Sequence, residues 1–236
     1  MSVGRLQRDP RTGWSAFALA AFGALGLFIL VVLLAAAWPL FVQPDAVLSA
    51  AVRATRNPAL TGVARAFTLL ASTPVVVPVT VALMGWMAFR RNWAAVLYVF
   101  MTIAVGWFIG NDVIKNIIAR PRPVGVNIIS MPADFSMPSS HSLAAFLMFT
   151  TICVVVMLNL PTGNHMKRWL AIVSAVLIFA VGFSRVYLGV HWVGDVIAAW
   201  LLGAAWWGFT TTTYFASVTE EKRVMPHPGA SPTPSE

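Results

Sequence analysis

Two histidines and two aspartates lie in or beside long apolar stretches of this 236-residue chain: Asp112, His141, His191 and Asp195. Ionisable groups in such places are costly, and their default interpretation is functional. His191 and Asp195 are four residues apart, so on a helix they share one face. The aspartate then accepts from the imidazole N–H and leaves the other ring nitrogen basic. The pair predicts either an oriented catalytic histidine or an ion pair that stabilises a helix start.

Basic residues cluster before the same stretches. Lys115, Arg120 and Arg122 fall within eight residues, and Arg185 precedes His191 by six. Permanent cations this close repel one another unless an anion joins them. We expect Lys115, Arg122 and Arg185 to bind such an anion, and Arg120 to contact lipid or stabilise its loop.

Pro138-Ser139-Ser140-His141 stands immediately before an apolar run, a pattern typical of a helix N-terminus. Free backbone N–H groups and the positive end of the helix dipole bind phosphate readily. Serine capping accounts for the motif without any function, but it leaves His141 unexplained. The combination favours a tetrahedral oxyanion, held where catalysis depends on positioning and charge stabilisation. A metal site formed by the two histidines and Asp195 is conceivable, but three flanking cations would repel a metal ion. We therefore expect no metal and no cofactor.

Composition indicates what must hold these residues. Apolar residues make up 58% of the chain and charged residues 10%, with a mean hydropathy of +0.78. A soluble domain carries roughly 25% charged residues, so these values exclude one. The single cysteine, Cys153, excludes a disulfide scaffold. The net charge of +8 is scattered between apolar runs and carries no nucleic-acid signature. The prediction is an all-α, polytopic membrane protein.

Six stretches approach the ~20 apolar residues that a spanning helix needs. Residues 1–13 would precede them, residues 14–216 would form one six-helix domain, and residues 217–236 a disordered cytoplasmic tail. Pro74 and Pro78 should kink or delay the second span. Residues 41–65 are predicted to form an interfacial helix on the outer side. The predicted spans are 14–40, 66–89, 93–113, 143–160, 169–183 and 192–216.

Lys and Arg in the short loops predict the orientation. The basic pairs 90–91, 167–168 and 222–223, with the N-terminal arginines, fall on one side, which we expect to be cytoplasmic. The candidate site then faces outward from a cell membrane. A cleaved signal peptide is disfavoured, because the first apolar run is much longer than a signal sequence requires.

The three motifs resemble the signature of the type-2 phosphatidic acid phosphatases (PAP2), which are related to vanadium haloperoxidases. Here the signature is Lys115-x6-Arg122-Pro123, then Pro138-Ser139-Ser140-His141, then Ser184-Arg185-x5-His191-x3-Asp195. The motifs cover residues 115–195, and the six-span plan extends the resemblance to nearly the whole chain. One departure is Ser140, where the family usually has glycine.

The resemblance implies a metal-independent phosphatase with the PAP2-like helical bundle. His191 would attack phosphorus, Asp195 would orient it, and His141 would protonate the leaving group. The phosphoryl oxygens would be held by Lys115, Arg122, Ser139, Ser140 and Arg185. Asp112 would be a structural partner for a nearby base. Because Ser140 keeps its backbone N–H, we expect activity despite the departure.

The expected substrate is a lipid phosphate or diphosphate: phosphatidic acid, phosphatidylglycerol phosphate or a polyprenyl diphosphate such as undecaprenyl diphosphate. Two alternatives stay open. The first is a lipid phosphate-binding or transport protein without catalysis, and the second, less favoured, is a vanadium-dependent haloperoxidase. We expect membrane lipids and no nucleic acid as partners, and the sequence does not indicate an oligomeric state.

Overall fold

A computed structural model describes residues 10–36, 42–161 and 163–224. Across those ranges the chain forms eight helices and no strand, which confirms the predicted all-helical fold. The helices are α1 (Pro10–Ala36), α2 (Val42–Ala54), α3 (Pro58–Leu70), α4 (Thr73–Phe89), α5 (Trp93–Ile118), α6 (Ser140–Asn159), α7 (Asn164–Tyr187) and α8 (Val193–Val224).

Four helices are long and apolar enough to cross a membrane: α5, α6, α7 and the part of α8 up to Ser217. A fifth span results if α3 and α4, which meet at a 43° bend, count as one. In α1 the apolar segment Ala18–Leu33 is shorter than the length required of a candidate span. The multi-pass arrangement is therefore confirmed, and the count of six stays a prediction.

The predicted second span is divided between two helices. α3 ends at Leu70, and α4 begins at Thr73 with Pro74 in its first turn and Pro78 inside it. Proline is tolerated in a first turn, where its missing N–H would have no helical partner. The expected late start is thus confirmed. One interfacial helix is predicted for residues 41–65, but 42–54 belong to α2 and 58–65 to α3, which packs against α7. Residue 41 lies outside the described residues.

Helix α5 continues to Ile118, five residues past its predicted end, so Lys115 lies in its last turn. Two six-residue segments of it, Phe100–Val105 and Ile109–Ile114, are π-helical. Between α5 and α6, Gly110 allows a close approach, because a Cβ there would collide with the side chain of Leu143. This contact fixes the end of α5 beside the start of α6.

Helix α8 is the longest, at 32 residues, and α1 packs along it. It continues to Val224, so residues 217–224 are helical backbone where the sequence predicted a disordered tail. The rest of that predicted tail, 225–236, lies outside the described residues.

Candidate active site

Four helix ends meet at one end of the bundle and carry the predicted site residues. Lys115 lies in the last turn of α5, Ser140 and His141 in the first turn of α6, and Arg185 in the last turn of α7. His191 lies in the α7–α8 turn, and Asp195 in the first turn of α8. The three motifs, separated by up to 80 residues in sequence, thus converge on one place.

His191 and Asp195 form the predicted pair, with His191 Nδ1 3.3 Å from Asp195 Oδ2 and both side chains buried. The other ring nitrogen, Nε2, lies 3.0 Å from Arg122 Nη1. A carboxylate only accepts and a guanidinium only donates, so the neutral ring that satisfies both contacts carries its proton on Nδ1. Nε2 therefore bears the lone pair.

Burial lowers the pKa of His191 well below its ordinary value, and the charges of Arg185, Arg122 and Lys115 lower it further. All of these effects disfavour the imidazolium. The ring is consequently neutral at neutral pH, which is the form a nucleophile or a base requires.

Asp195 has more partners than the sequence indicated. Its Oδ1 accepts from Arg120 Nη1 at 2.7 Å, and its Oδ2 accepts from Trp192 N at 2.9 Å and from the Ser136 hydroxyl. Arg120 is buried, which contradicts the first of its two predicted roles, contact with lipid, and leaves the second, a structural one. It stabilises the carboxylate that holds His191.

The same guanidinium reaches helix α2. Arg120 Nη2 donates to Asp45 Oδ2 at 2.7 Å, while Asp45 Oδ1 accepts from Gly194 N at 2.9 Å. Ser49 accepts from Val193 N at 3.0 Å. Two α2 side chains thus satisfy N–H groups that the start of α8 would otherwise leave unpaired. Helix α2 supports the first turn that carries Asp195.

Arg122, two residues after Arg120, has a different set of partners. Its Nη1 donates to Val190 O at 2.7 Å, and its Nε donates to Asp134 O at 2.8 Å. Pro121 stands between the two arginines and favours an extended backbone before it. Side chains two residues apart in an extended segment point to the same side, which brings both arginines to the cluster, where Arg120 contacts Asp195 and Arg122 contacts His191.

Asp134 connects the two cations of the first motif. Its Oδ2 lies 2.5 Å from Lys115 Nζ and its Oδ1 2.6 Å from Arg122 Nη2. Partial burial acts to raise the pKa of Asp134, but the hydrogen bonds and charges of Lys115 and Arg122 outweigh it and hold the pKa below its ordinary value. Sequence reasoning placed Asp134 in a loop and gave it no role.

The start of α6 follows the predicted capping pattern. Ser139 is the N-cap, and its Oγ accepts from Ser142 N at 3.4 Å. Ser139 N donates to Asp195 O at 3.1 Å, which connects α6 to α8. The Ser140 hydroxyl accepts from Lys115 Nζ and donates to Asn111 Oδ1 at 2.5 Å. The residue that replaces the family's usual glycine is therefore part of the site's hydrogen-bond network.

Arg185 is 3% exposed and donates through Nη1 to Thr68 Oγ1 at 2.6 Å. Its Nε is buried, and among the described residues nothing accepts from it. A buried donor without an acceptor is unfavourable, so this N–H is available to an anion. His141 lies near the same cations, Arg185, Lys115 and Arg122, and near the neutral ring of His191.

Two cavities adjoin the cluster on different sides. One, of about 500 Å³, lies between α4 and α5 and reaches Ser140 and His141. The other, of about 410 Å³, is formed by the loop 121–135 and is lined by Arg122 and Asp134. The apolar cavity thus meets the cluster at His141, and the loop cavity meets it at Arg122.

The sequence missed Asp134, Ser136 and Asp45, and it did not connect Arg120 to Asp195. The available signal was the closeness of Arg120 and Arg122, since buried cations need acidic partners. Asp112 is exposed, and its recorded contact is a backbone one, from Asn116 Nδ2 to Asp112 O at 2.8 Å. Within the part of the chain that the structure describes, no group of three or more His, Cys, Asp or Glu side chains is arranged to hold a metal ion. Metal independence stays a prediction.

The sequence of this chain is similar to those of known proteins. Residues 94–218 match the PAP2 superfamily. Phosphatidylglycerophosphatase B of Bacillus subtilis is 31% identical over 76% of this chain and 88% of its own length. An undecaprenyl-diphosphatase of Sulfolobus acidocaldarius is 34% identical over 54% of this chain and 58% of its own.

A solved structure resembles the whole fold. The crystal structure of a transmembrane PAP2 type phosphatidylglycerolphosphate phosphatase from Bacillus subtilis superimposes with a TM-score of 0.74 at 27% identity. The match covers 88% of this chain and 98% of that one. Sequence and fold therefore agree: this chain belongs to the PAP2 superfamily and is a membrane phosphatase of the PAP2 type.

Proposed function

We propose that this phosphatase removes the terminal phosphate of a membrane lipid through a phosphohistidine on His191. The observation that carries the proposal is the position of His141. It lies where the polar cluster meets the apolar cavity between α4 and α5. A lipid chain in that cavity would place its phosphate among the cations and its ester oxygen beside His141.

The cavity suits a hydrocarbon chain. Its lining includes Val76, Val81, Met84, Ile103 and Trp107, and Ser140 and His141 are among its polar members. Burial of each CH₂ group contributes about 0.8 kcal/mol, so a long chain supplies much of the binding free energy. A water-soluble phosphate ester would gain nothing from this surface.

The first step follows from the tautomer of His191. Nε2 attacks phosphorus while the bond between phosphorus and the leaving oxygen breaks, and His141 donates a proton to that oxygen. Asp195 stabilises the positive charge that develops on the His191 ring, as the acid of a catalytic triad does. Arg122 Nη1 must leave Nε2 before this attack, because both use the same lone pair.

The second step returns the enzyme to its starting state. Water attacks the phosphohistidine, His141 accepts a proton from that water, and the N–P bond breaks to release inorganic phosphate. Lys115, Arg122, Arg185, the Ser139 side chain and the N–H of Ser140 stabilise the charge on the phosphoryl oxygens in both steps. Preorganised donors of this kind are usually the largest single contribution to such catalysis.

The relatives suggest the substrate class. They carry the names phosphatidylglycerophosphatase, undecaprenyl-diphosphatase and dolichyldiphosphatase, which cover both glycerolipid monophosphates and polyprenyl diphosphates. We propose phosphatidylglycerol phosphate, phosphatidic acid or a polyprenyl diphosphate as the substrate of this chain.

The direct test is phosphate release from purified protein in detergent, with these three lipids and glycerol phosphate, each with and without a chelator. We expect turnover of at least one lipid, little turnover of glycerol phosphate, and no effect of chelation. Binding of lipid phosphates without release would favour the transport alternative. Loss of activity on chelation, restored by magnesium, would contradict the mechanism.

We further propose that the site faces outward from the cell membrane. The support is the exposed basic residues at the opposite bundle end, Arg90, Arg91, Lys167 and Arg168, since short cytoplasmic loops are enriched in Lys and Arg. Cysteines introduced at Val124, which is 90% exposed near the site, and at the exposed Asn164 test this proposal.

An impermeant thiol reagent on intact cells should label the Val124 variant and not the Asn164 variant. The native Cys153 lies inside α6, against an apolar cavity, and the unmodified protein measures its background. Labelling at Asn164 alone would place the site on the cytoplasmic side. Labelling at both positions would show that the span count is wrong.

A further inference from the structure

Asp134 lies outside the three signature motifs, yet it holds two of their cations. One carboxylate oxygen is 2.5 Å from Lys115 Nζ and the other 2.6 Å from Arg122 Nη2. This bridging geometry, two negatively charged oxygens between two cations, is also what a phosphate would offer. The carboxylate therefore lies between the two cations, at the position where the proposed mechanism places the substrate phosphate.

The donors of both cations are largely committed in this arrangement. Lys115 has three N–H groups, and two are used by Asp134 and Ser140. Arg122 has five, and four are used by two atoms of Asp134, by Val190 O and by His191 Nε2. A phosphate needs several of these donors at once, so it must displace some of the present acceptors.

Asp134 is the acceptor best placed to leave. Its side chain is 44% exposed, whereas that of Lys115 is 1% exposed and that of Arg122 is 8% exposed. It lies on the loop 121–135 and lines the cavity of about 410 Å³ on that side of the cluster. A carboxylate that turns toward this cavity regains water, while the cations keep their positions.

The same contact affects the nucleophile. Asp134 holds Arg122 through its backbone oxygen and its carboxylate, and in that position Arg122 Nη1 donates to His191 Nε2. The lone pair that would attack phosphorus is thus engaged while Asp134 is in place. If Arg122 moved from Asp134 to a phosphate, the lone pair on His191 Nε2 would become free.

We propose that Asp134 is an internal substitute for the substrate phosphate: it bridges Lys115 and Arg122 in the ligand-free enzyme, yields to the lipid phosphate, and displaces inorganic phosphate after hydrolysis. This inference rests on the proposed function and adds a residue that controls binding and product release. A negative charge that stayed between the cations would repel the anion they bind, so it has to move.

The test compares Asp134→Asn and Asp134→Ser with wild type in detergent. Asp112→Asn is the matched control, because Asp112 is an exposed acid in the second-last turn of the same helix as Lys115. The dissociation constant of inorganic phosphate is measured by calorimetry, and KM and kcat by release of phosphate from phosphatidic acid. Thermal unfolding of each variant verifies that it is folded.

Apparent affinity is proportional to the fraction of molecules that are free to bind the ligand. A bridge that is present ~90% of the time therefore lowers the affinity for phosphate about tenfold. Both Asp134 variants should therefore bind phosphate about tenfold more tightly, with a lower KM and a lower kcat because the product leaves more slowly. Asp112→Asn should match wild type.

Unchanged or weaker phosphate binding by folded Asp134 variants would overturn the proposal. Weaker binding would show that Asp134 positions Lys115 and Arg122 for the anion, and the phosphatase function would stand. If wild type itself neither bound phosphate nor hydrolysed any lipid phosphate, the proposed function would fail and this inference with it.

Discussion

Helix α7 carries basic residues at both of its ends. Lys167 and Arg168 in the first turn are exposed, whereas Arg185 in the last turn is 3% exposed. The composition of the two ends is similar, but their surroundings differ. At the first turn, water or lipid head groups solvate the charges. At the last turn, Arg185 donates to Thr68, and a bound anion would supply the remaining acceptors.

Acidic residues account for this difference. Asp45, Asp134 and Asp195 all belong to the site end and form ion pairs with Arg120, Lys115 and Arg122. Buried charges are tolerated when they are paired and hydrogen-bonded. No carboxylate in the described part of the chain forms an ion pair with Arg185, so this cation would gain most from a bound phosphate.

The largest expected effect on activity comes from the histidine at the site end of the bundle, compared with a histidine at the opposite end. His191→Ala should lower kcat for lipid phosphate release by ~10⁴-fold or more, because it removes the nucleophile. His165→Ala, which changes an exposed histidine in the first turn of α7, should leave the rate unchanged. Reaction with a lipid that carries a ³²P-phosphate should leave an acid-labile phosphohistidine on the wild-type protein and none on the His191 variant. Near-normal release by the His191 variant would contradict the mechanism.

The two ends of α7 supply the next comparison directly. Arg185→Gln should lower kcat/KM by ~10²–10³-fold, the usual cost of losing one preorganised donor to the transition state. Arg168→Gln removes the same kind of charge at the exposed end and should have no effect on kcat/KM. Vanadate inhibition provides a second measurement, since Arg185→Gln should weaken it. Equal effects of both substitutions would show that the charge acts through the overall field and not at the site.

Support of the site by α2 predicts a smaller effect. Asp45→Asn weakens the hold of Arg120 on Asp195, and the loss of such supporting hydrogen bonds typically costs ~10–100-fold. We expect kcat to fall by about tenfold with KM unchanged. Ser49→Ala is the control, because Ser49 also caps α8 but does not touch Arg120. If both variants lowered kcat equally, the role of Asp45 would be to cap the helix.

Removal of the Ser140 hydroxyl tests the departure from the family pattern. Ser140→Gly removes two hydrogen bonds, one from Lys115 and one to Asn111, each with a net contribution of about 0.5–1.5 kcal/mol. Activity on phosphatidic acid should change by less than ~10-fold, since the backbone N–H is retained. A complete loss of activity would show that the hydroxyl itself binds substrate.

The last prediction is the absence of an effect. The neutral form of His191 exists above its lowered pKa and is lost as pH falls through it. A ring with an ordinary pKa near 6.5 would be ~90% protonated at pH 5.5, and kcat/KM would drop about tenfold. Burial and the three cations prevent this protonation. After correction for the ionisation of the substrate, kcat/KM at pH 5.5 should therefore equal its value at neutral pH. A decline centred on pH 6.5 would show that the ring is more exposed than the structure indicates.

The sequence by itself determined the class, the helices and the signature residues of the site. Apolar runs of about 20 residues can only be helices in a bilayer, because each backbone N–H and C=O must find a partner within the segment. The four-residue spacing of His191 and Asp195 and the serine before α6 specified local geometry that the structure confirms. Such features depend on neighbours along the chain, so they can be read without a fold.

Tertiary structure alone decided the partners. Arg120 joins Asp195 to Asp45 across 75 residues on either side, and Asp134 bridges Lys115 and Arg122 from a loop. Nothing in the spacing of these residues distinguishes them from charges exposed on a surface. Whether a charge is buried, and which opposite charge satisfies it, depends on which helix ends the packing brings together, and that information is not local.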